Sequence, residues 1–206
     1  MKKYLLVAKI RRRNPYKDIA KKTQEHRICE NKLNREFNQI VPLKVFCTDI
    51  TYLSFGRSLA YLSVIKDICS GEIVGWKLSR HIDMDLVLGT IENMKNNGYL
   101  PLASFHDILI HSDQGFHYTN PQYISLVKEL DMVQSMSRRG NCIDNAPMES
   151  FFGHFKDDVD YGNCRTYEEL ELLVEEYIGY YNNERYQWDL KKMTPVGYRN
   201  HLLALV

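Results

Sequence analysis

The sequence predicts an α/β fold, in which helices flank a mixed sheet of five strands and one more helix follows at the C-terminus. Two observations lead to this prediction. Three β-rich runs follow one another with only short turns between them, which is the pattern of an antiparallel meander. Beyond them the apolar residues change from alternation to a helical period, and helices alternate with short strands as in β-α-β crossovers.

The meander is predicted from residues 44–78. Its first strand is "KVFCTDITYL" (44–53), and "LAYLSVIKDI" (59–68) and "EIVGWKL" (72–78) follow. Turns are expected at Gly56 and at Ser70-Gly71, because glycine adopts the backbone angles of tight turns without steric cost.

Two short strands and two helices come next. The first helix is predicted between an Asp83 cap and Asn97-Gly98, which is a typical helix end. Apolar strands at 107–111 and 132–137 flank the second helix. That helix begins at Asn120-Pro121, since asparagine caps helices and proline is tolerated in the first turn.

Two further helices complete the pattern. One begins at Pro147, and Thr166 with Glu169 forms a capping box for a long helix that ends near Asn182. The order is then βββ-α-β-α-β-α plus a C-terminal helix. This order suits a ribonuclease H-like core.

Composition is that of an ordinary globular protein: 206 residues, 44% hydrophobic and 26% charged. No run approaches the roughly 18 apolar residues of a membrane span. The apolar run from Tyr4 to Ala8 is too short for a secretory signal. A cytoplasmic protein without a membrane partner is therefore expected. The five cysteines form no C-x-x-C pair, which argues against a disulfide framework and a zinc ribbon.

Charge is distributed unevenly along the chain. Residues 1–40 hold 12 Lys and Arg against 4 Asp and Glu, whereas residues 41–206 hold 15 against 22. We therefore expect a basic arm at 1–40, a core at 41–160 and a helical extension at 161–206. A nucleic-acid partner would explain the arm, and a merely solvated charged segment is equally consistent with its composition.

Three acidic residues occupy unusual places in the predicted elements. Asp49 lies in the middle of the first strand, where aspartate is disfavoured. Asp113 follows the 107–111 strand, at the strand end where open α/β sheets usually build ligand sites. Glu149 comes 36 residues later, in the first turn of the Pro147 helix. For Glu149 alone, a cap that complements the helix dipole is the simpler interpretation.

If these carboxylates converge at one edge of the sheet, cations must neutralise them. Hard oxygen ligands without a His/Cys cage suit Mg²⁺ or Mn²⁺. Two such ions roughly 4 Å apart can activate an attacking oxygen and stabilise a leaving one in phosphoryl transfer. The sequence thus predicts a two-metal site in which Asp49, Asp113 and Glu149 are both catalytic residues and metal ligands.

Four segments carry a family resemblance: "TDITYL", "YLSVIKDICSGEIVGW", "HSDQGFHYT" and "QSMSRRGNCIDNAPMESFFGHFK". They closely resemble the catalytic core of insertion-sequence transposases, specifically the second-frame product of the insertion sequence three family, relatives of the retroviral integrases. The ending "YIGYYNNERYQWDLKKMTPVGY" is also similar, so the resemblance covers about residues 41–199. It implies a retroviral-integrase-like fold and an Asp-Asp-Glu site at Asp49, Asp113 and Glu149.

The resemblance also implies an activity. The enzyme would be a Mg²⁺-dependent polynucleotidyl transferase that cleaves DNA at the ends of the element and joins the resulting 3′-hydroxyl to another phosphodiester. A nuclease of the same fold that does not join strands is one alternative. A truncated, inactive chain that binds DNA or oligomerises and so regulates a longer transposase is another.

Further residues receive roles in this interpretation. The resemblance implies that four residues shape the site: His111, Gln114, Asn141 and Asn145. Turn and cap chemistry is equally natural for the two asparagines. The following basic residues are candidates for phosphate contacts, with plain surface charge as the alternative for each: Arg138, Arg139, Lys156, Arg11, Arg12 and Arg13.

The chain departs from the family pattern in three places. Phe46 stands where the family usually has Trp, and "GFHY" replaces the commoner Gly-Ser-Gln-Tyr beyond Asp113. The resemblance begins only near the core, so we expect the family's upstream helix-turn-helix unit to be missing from this chain. A first-frame helix-turn-helix protein or a fused product is then expected to recognise the element ends. Because two DNA ends must be paired, a homo-oligomer is also expected.

Overall fold

A mixed sheet of five strands in the order β3-β2-β1-β4-β5 organises the chain. The computed structural model describes residues 28–98, 105–138 and 142–205. β1 pairs antiparallel with β2 and parallel with β4, while β2–β3 is antiparallel and β4–β5 is parallel. The predicted mixed sheet with flanking helices is therefore confirmed. Its strands are β1 Val45–Phe55, β2 Ser58–Asp67, β3 Ile73–Ser79, β4 Leu109–Ser112 and β5 Val133–Met136.

Six α-helices surround the sheet in the described part of the chain. They are α1 Met84–Asn96, α2 Phe116–Thr119, α3 Pro121–Glu129, α4 Ala146–Asp158, α5 Tyr167–Asn183 and α6 Pro195–Leu203. The predicted helices correspond to α1, α3, α4 and α5, whereas α2 and α6 were not predicted. None of the helices in the described ranges is both long and apolar enough to cross a membrane.

Local hydrogen bonds explain where several helices begin. The Asp83 side chain accepts a hydrogen bond from the Leu86 backbone N at 3.1 Å, as predicted for the start of α1. The Thr166 hydroxyl accepts a hydrogen bond from the Glu169 backbone N at 3.1 Å. In return, the Glu169 carboxylate accepts one from the Thr166 backbone N. Such reciprocal caps satisfy backbone donors that a helix cannot satisfy internally.

The two faces of the sheet pack against different helices. Because successive side chains of a strand point to opposite faces, Cys47 and Leu53 of β1 join the core beneath α4 and α5, with Phe151 and Tyr181. Phe46, which is fully buried, joins the opposite core, whose members include residues of α1 and α3. The sheet is thereby fixed on both sides at the end where β1 and β4 run in parallel.

Part of the predicted basic arm packs against the edge strand β5. The backbone N atoms of Lys32 and Leu33 donate to the Ser135 hydroxyl at 2.9 and 3.2 Å. Leu33 is 2% exposed and lies in the same core as Phe151. An edge strand is thereby covered, which limits its pairing with other chains. The predicted domain boundaries remain predictions, and Arg11, Arg12, Arg13, Arg139 and Asn141 lie outside the described residues.

Candidate active site

The register between β1 and β4 brings two of the predicted carboxylates to neighbouring positions. Cys47 of β1 lies opposite His111 of β4. This is the last pair of the parallel ladder, and Asp49 and Asp113 each follow it by two residues, Asp49 within β1 and Asp113 just beyond the end of β4. Burial raises the pKa of the Tyr118 hydroxyl well above its usual range, and the negative charges of both aspartates raise it further. Both carboxylates therefore act on the same buried hydroxyl.

Each aspartate is oriented by the backbone next to it. Asp49 Oδ1 accepts a hydrogen bond from the backbone N of Ile50 at 2.8 Å, and Asp113 Oδ1 accepts one from the backbone N of Gly115 at 2.8 Å. A Cβ atom at Gly115 would lie only 2.8 Å from Asp113 Oδ1. A larger residue at position 115 would therefore push the Asp113 carboxylate out of this position.

Glu149 lies on a helix whose start is attached to β1. Asn145, the N-cap of α4, does not bond its own helix through its side chain. Its Nδ2 instead donates to the backbone carbonyl of Thr48 at 3.3 Å. The start of the helix is therefore bonded to the residue that precedes Asp49 in β1. In the first turn of this helix Glu149 is exposed, whereas the neighbouring Met148 is fully buried.

The three carboxylates fit magnesium by donor chemistry, although they do not form a ready-made cage. In residues 28–98, 105–138 and 142–205, no three His, Cys, Asp or Glu side chains are grouped closely enough to hold a metal ion. Carboxylate oxygens at an open position are nevertheless the donors that magnesium prefers. The catalytic and metal-binding roles of Asp49, Asp113 and Glu149 remain predictions.

His111 and Gln114 hold the chain around Asp113 against the end of β5. The buried His111 ring places Nδ1 2.9 Å from the Ser135 hydroxyl and Nε2 3.1 Å from the Ser137 hydroxyl. Burial lowers the pKa of His111 to about 4, so the ring is neutral at physiological pH. Gln114 Nε2 donates to the Ser137 carbonyl at 3.0 Å.

Two of the predicted phosphate contacts have partners within the protein. The Arg138 guanidinium binds Asp144, with Nη2 3.0 Å from Oδ1. Lys156 Nζ lies 4.6 Å from the centre of the Tyr52 ring, which is a cation–π geometry. Contact of either residue with DNA remains a prediction.

Asp144 lies buried near the candidate site, which its sequence context does not predict. Its position before α4 indicates a helix cap, but its side chain is fully buried and binds Arg138 and Arg35. The pKa of Asp144 lies well below its usual range, mainly because Arg138 donates hydrogen bonds to the ionised carboxylate. The ion pair with Arg35 joins residues 109 positions apart. No local pattern could have indicated it.

An open cleft of about 500 Å³ lies elsewhere, beside the C-terminal helices. Tyr180, Tyr186 and Trp188 are among its lining residues, and it includes none of the three carboxylates. The candidate site therefore lies outside this cleft.

Family models described as integrase core domain match residues 41–142 and residues 149–203. The chain is 39% identical over 191 residues to an uncharacterized transposase-like protein of Haemophilus influenzae, covering 88% of this chain and 86% of that one. It is 37% identical over 171 residues to the putative transposase InsK for insertion sequence element IS150 of Escherichia coli, covering 82% of this chain and 59% of InsK. Against transposase InsF for insertion sequence IS3A of Escherichia coli it is 28% identical over 180 residues, covering 86% of this chain and 61% of InsF.

Solved structures with a similar fold include two retroviral examples. One is the HTLV-2 integrase catalytic core domain in complex with magnesium, with a TM-score of 0.60 and 13% identity over 77% of this chain and 97% of that one. The other is the simian T-cell lymphotropic virus intasome in complex with the PP2A regulatory subunit B56 gamma, with a TM-score of 0.64 and 14% identity over 88% of this chain and 62% of that one. At these identities the likeness concerns the fold alone.

Proposed function

The chain belongs to the insertion-sequence transposases of the IS3 family, and from this membership we propose that it is the catalytic core of a DNA transposase. It cleaves a phosphodiester at each end of an insertion sequence to leave a 3′-hydroxyl, and this hydroxyl attacks the phosphorus of another phosphodiester. A new 3′-O–P bond forms, and the P–O3′ bond of the attacked strand breaks to release a 3′-hydroxyl there. The observation that carries the proposal is that Asp49 and Asp113 each follow the paired residues Cys47 and His111 by two positions, while the helix that carries Glu149 is attached to β1 through Asn145.

The chain's own residues supply binding and orientation. Asp49, Asp113 and Glu149 would hold two magnesium or manganese ions. When bound, magnesium supplies charge stabilisation for the attacking and leaving oxygens of the phosphoryl group. The backbone N–H groups of Ile50 and Gly115 orient the two aspartates before metal arrives.

A strand-joining assay tests this function on the wild-type chain. With Mg²⁺ or Mn²⁺ and a DNA duplex that ends in a free 3′-hydroxyl, we expect joined product longer than either substrate. Hydrolysed product without joined product would instead identify a nuclease of the same fold. Failure to act alone, together with co-purification with a longer transposase, would identify a regulatory chain.

The DNA-recognition unit and the assembly are part of the same proposal. A first-frame protein with a helix-turn-helix unit, or a fused product, recognises the element ends. At least two copies of the chain pair two DNA ends if each copy holds one active site. The solved relatives are described in trimeric and dimeric forms, which supports assembly as a property of this fold.

Metal affinity is a second, activity-independent test of the site. We expect the Asp113→Asn variant to bind Mn²⁺ at least about tenfold more weakly than the wild type, because it loses an anionic oxygen ligand. Calorimetric titration of both proteins with a short DNA end present would measure this. Equal affinity in the two proteins would show that Asp113 is not a ligand.

A further inference from the structure

The buried carboxylate beside the candidate site accepts more hydrogen bonds than a helix cap needs. Three come to Asp144 from Arg138, through its backbone N at 2.9 Å and through Nε and Nη2 at 3.0 Å each. Arg35 Nε at 2.7 Å and Asn31 Nδ2 at 3.1 Å add two more. These four residues, here named the Asp144 cluster, join three separate segments of the chain.

The Asp144 cluster is connected to the elements that carry two of the acids. Asn145 follows Asp144 directly and donates to the carbonyl of Thr48, the residue before Asp49. The helix that carries Glu149 begins at the next residue. A shift of Asp144 would therefore move the start of that helix relative to β1.

A second connection leads to the third acid, Asp113. Arg138 follows Ser137, whose carbonyl accepts a hydrogen bond from Gln114 Nε2 at 3.0 Å. The Ser137 hydroxyl also lies 3.1 Å from His111 Nε2. Gln114 and His111 are within two residues of Asp113 on either side. The chain around Asp113 is thus held by the segment that also binds Asp144.

The start of α4 does not require the negative charge of Asp144 as a helix cap. The N-cap of α4 is Asn145, and a buried ion pair usually contributes little stability compared with apolar side chains of similar size. What a fully bonded buried pair does supply is one defined geometry, because the two Arg138 nitrogens fix the plane of the carboxylate. The three acids have no ready-made cage in the described residues. Their relative placement depends on the elements that hold them.

We propose that Asp144 is a positioning residue, whose bonds hold the helix that carries Glu149 against the strands that carry the two aspartates. It touches neither substrate nor metal and acts through the elements that it joins. The proposal rests on the proposed strand-joining function.

The test compares two variants that each neutralise a buried, arginine-paired carboxylate. Asp144→Asn alters the cluster, and Glu72→Gln alters the pair with Arg199, a pair that joins the start of β3 to α6. We expect Asp144→Asn to lower kcat for strand joining at least tenfold per folded molecule, with KM for DNA within twofold. Glu72→Gln should leave both constants unchanged. An equal loss in both variants would overturn the proposal, since general destabilisation would then explain it.

Hydrogen exchange and Mn²⁺ affinity supply readouts that do not depend on activity. In Asp144→Asn, we expect amide exchange to rise at least tenfold in residues 145–150 and 112–116 and Mn²⁺ affinity to fall, with neither change in Glu72→Gln. If the wild type does not join strands, the proposed function fails. Amide exchange and Mn²⁺ affinity then test the positioning role without an activity assay. If both are the same in Asp144→Asn as in the wild type, Asp144 does not position the acids.

Arg138→Met serves as a second variant if Asp144→Asn does not fold. Arg138 is 54% exposed at its side chain, so its replacement leaves the packing largely intact. A positioning role predicts lower kcat with unchanged KM. A rise in KM alone, with weaker salt dependence of DNA binding, would assign Arg138 to a phosphate contact and overturn its role in positioning the acids.

Discussion

The Glu149→Gln variant is expected to lose strand joining by a factor on the order of 1,000 while its affinity for DNA stays within about twofold. Glutamine keeps the size of the side chain and its helical preference but removes the anionic oxygen that a metal ion would need. Glu149 is exposed in the first turn of α4, so the change leaves the apolar face of that helix untouched. Joined product and DNA affinity, measured on the same preparation, test this expectation.

Glu171→Gln is the matched control, because Glu171 is an exposed glutamate on α5, outside the candidate site. It undergoes the same chemical change and should retain full activity. If Glu149→Gln also retains full activity, Glu149 only complements the dipole of its helix. In that case the substitution would cost about 0.3–1 kcal/mol of stability and nothing else.

The sheet and four of the helices could be predicted because their determinants are local. The Thr166 and Glu169 cap, the Asn120-Pro121 start and the turn at Gly71, with φ of 76°, each depend on residues within one turn. Strand order explains why Asp49 and Asp113 both follow the last β1–β4 pair by two residues. Their joint role in one site remains a prediction.

What could not be predicted depends on pairs that are distant in sequence. α6 begins at Pro195 after a Thr194 cap, which is a recognisable start, but its buried residues are Pro195 and Arg199 rather than an apolar stripe. Asp144 likewise gives no sign of its burial, because Arg35 lies 109 positions away. Charged residues are rarely buried without partners. The sequence identifies Asp144 as a charged residue, but it does not indicate which distant residue pairs with it.

Replacing Arg199 with Ala is expected to lower the free energy of unfolding by about 3–5 kcal/mol. Arg199 Nη1 lies 2.6 Å from both carboxylate oxygens of Glu72, whose side chain is fully buried. Without the guanidinium, that carboxylate would remain buried without its opposite charge. Thermal unfolding should report a fall of roughly 10 °C for a chain of this length. The activity of the molecules that remain folded should not change.

Two further variants separate this cause from a general loss of packing. Removing both charges, in Glu72→Met with Arg199→Met, should restore most of the stability, because no uncompensated charge is left in the interior. Arg80→Ala removes an exposed pair with Glu168, whose side chains are 59% and 75% exposed, and should cost less than about 1 kcal/mol. If the double variant is as unstable as Arg199→Ala, lost packing of the arginine stem is the cause. The pair would then hold α6 against the start of β3 by shape rather than by charge.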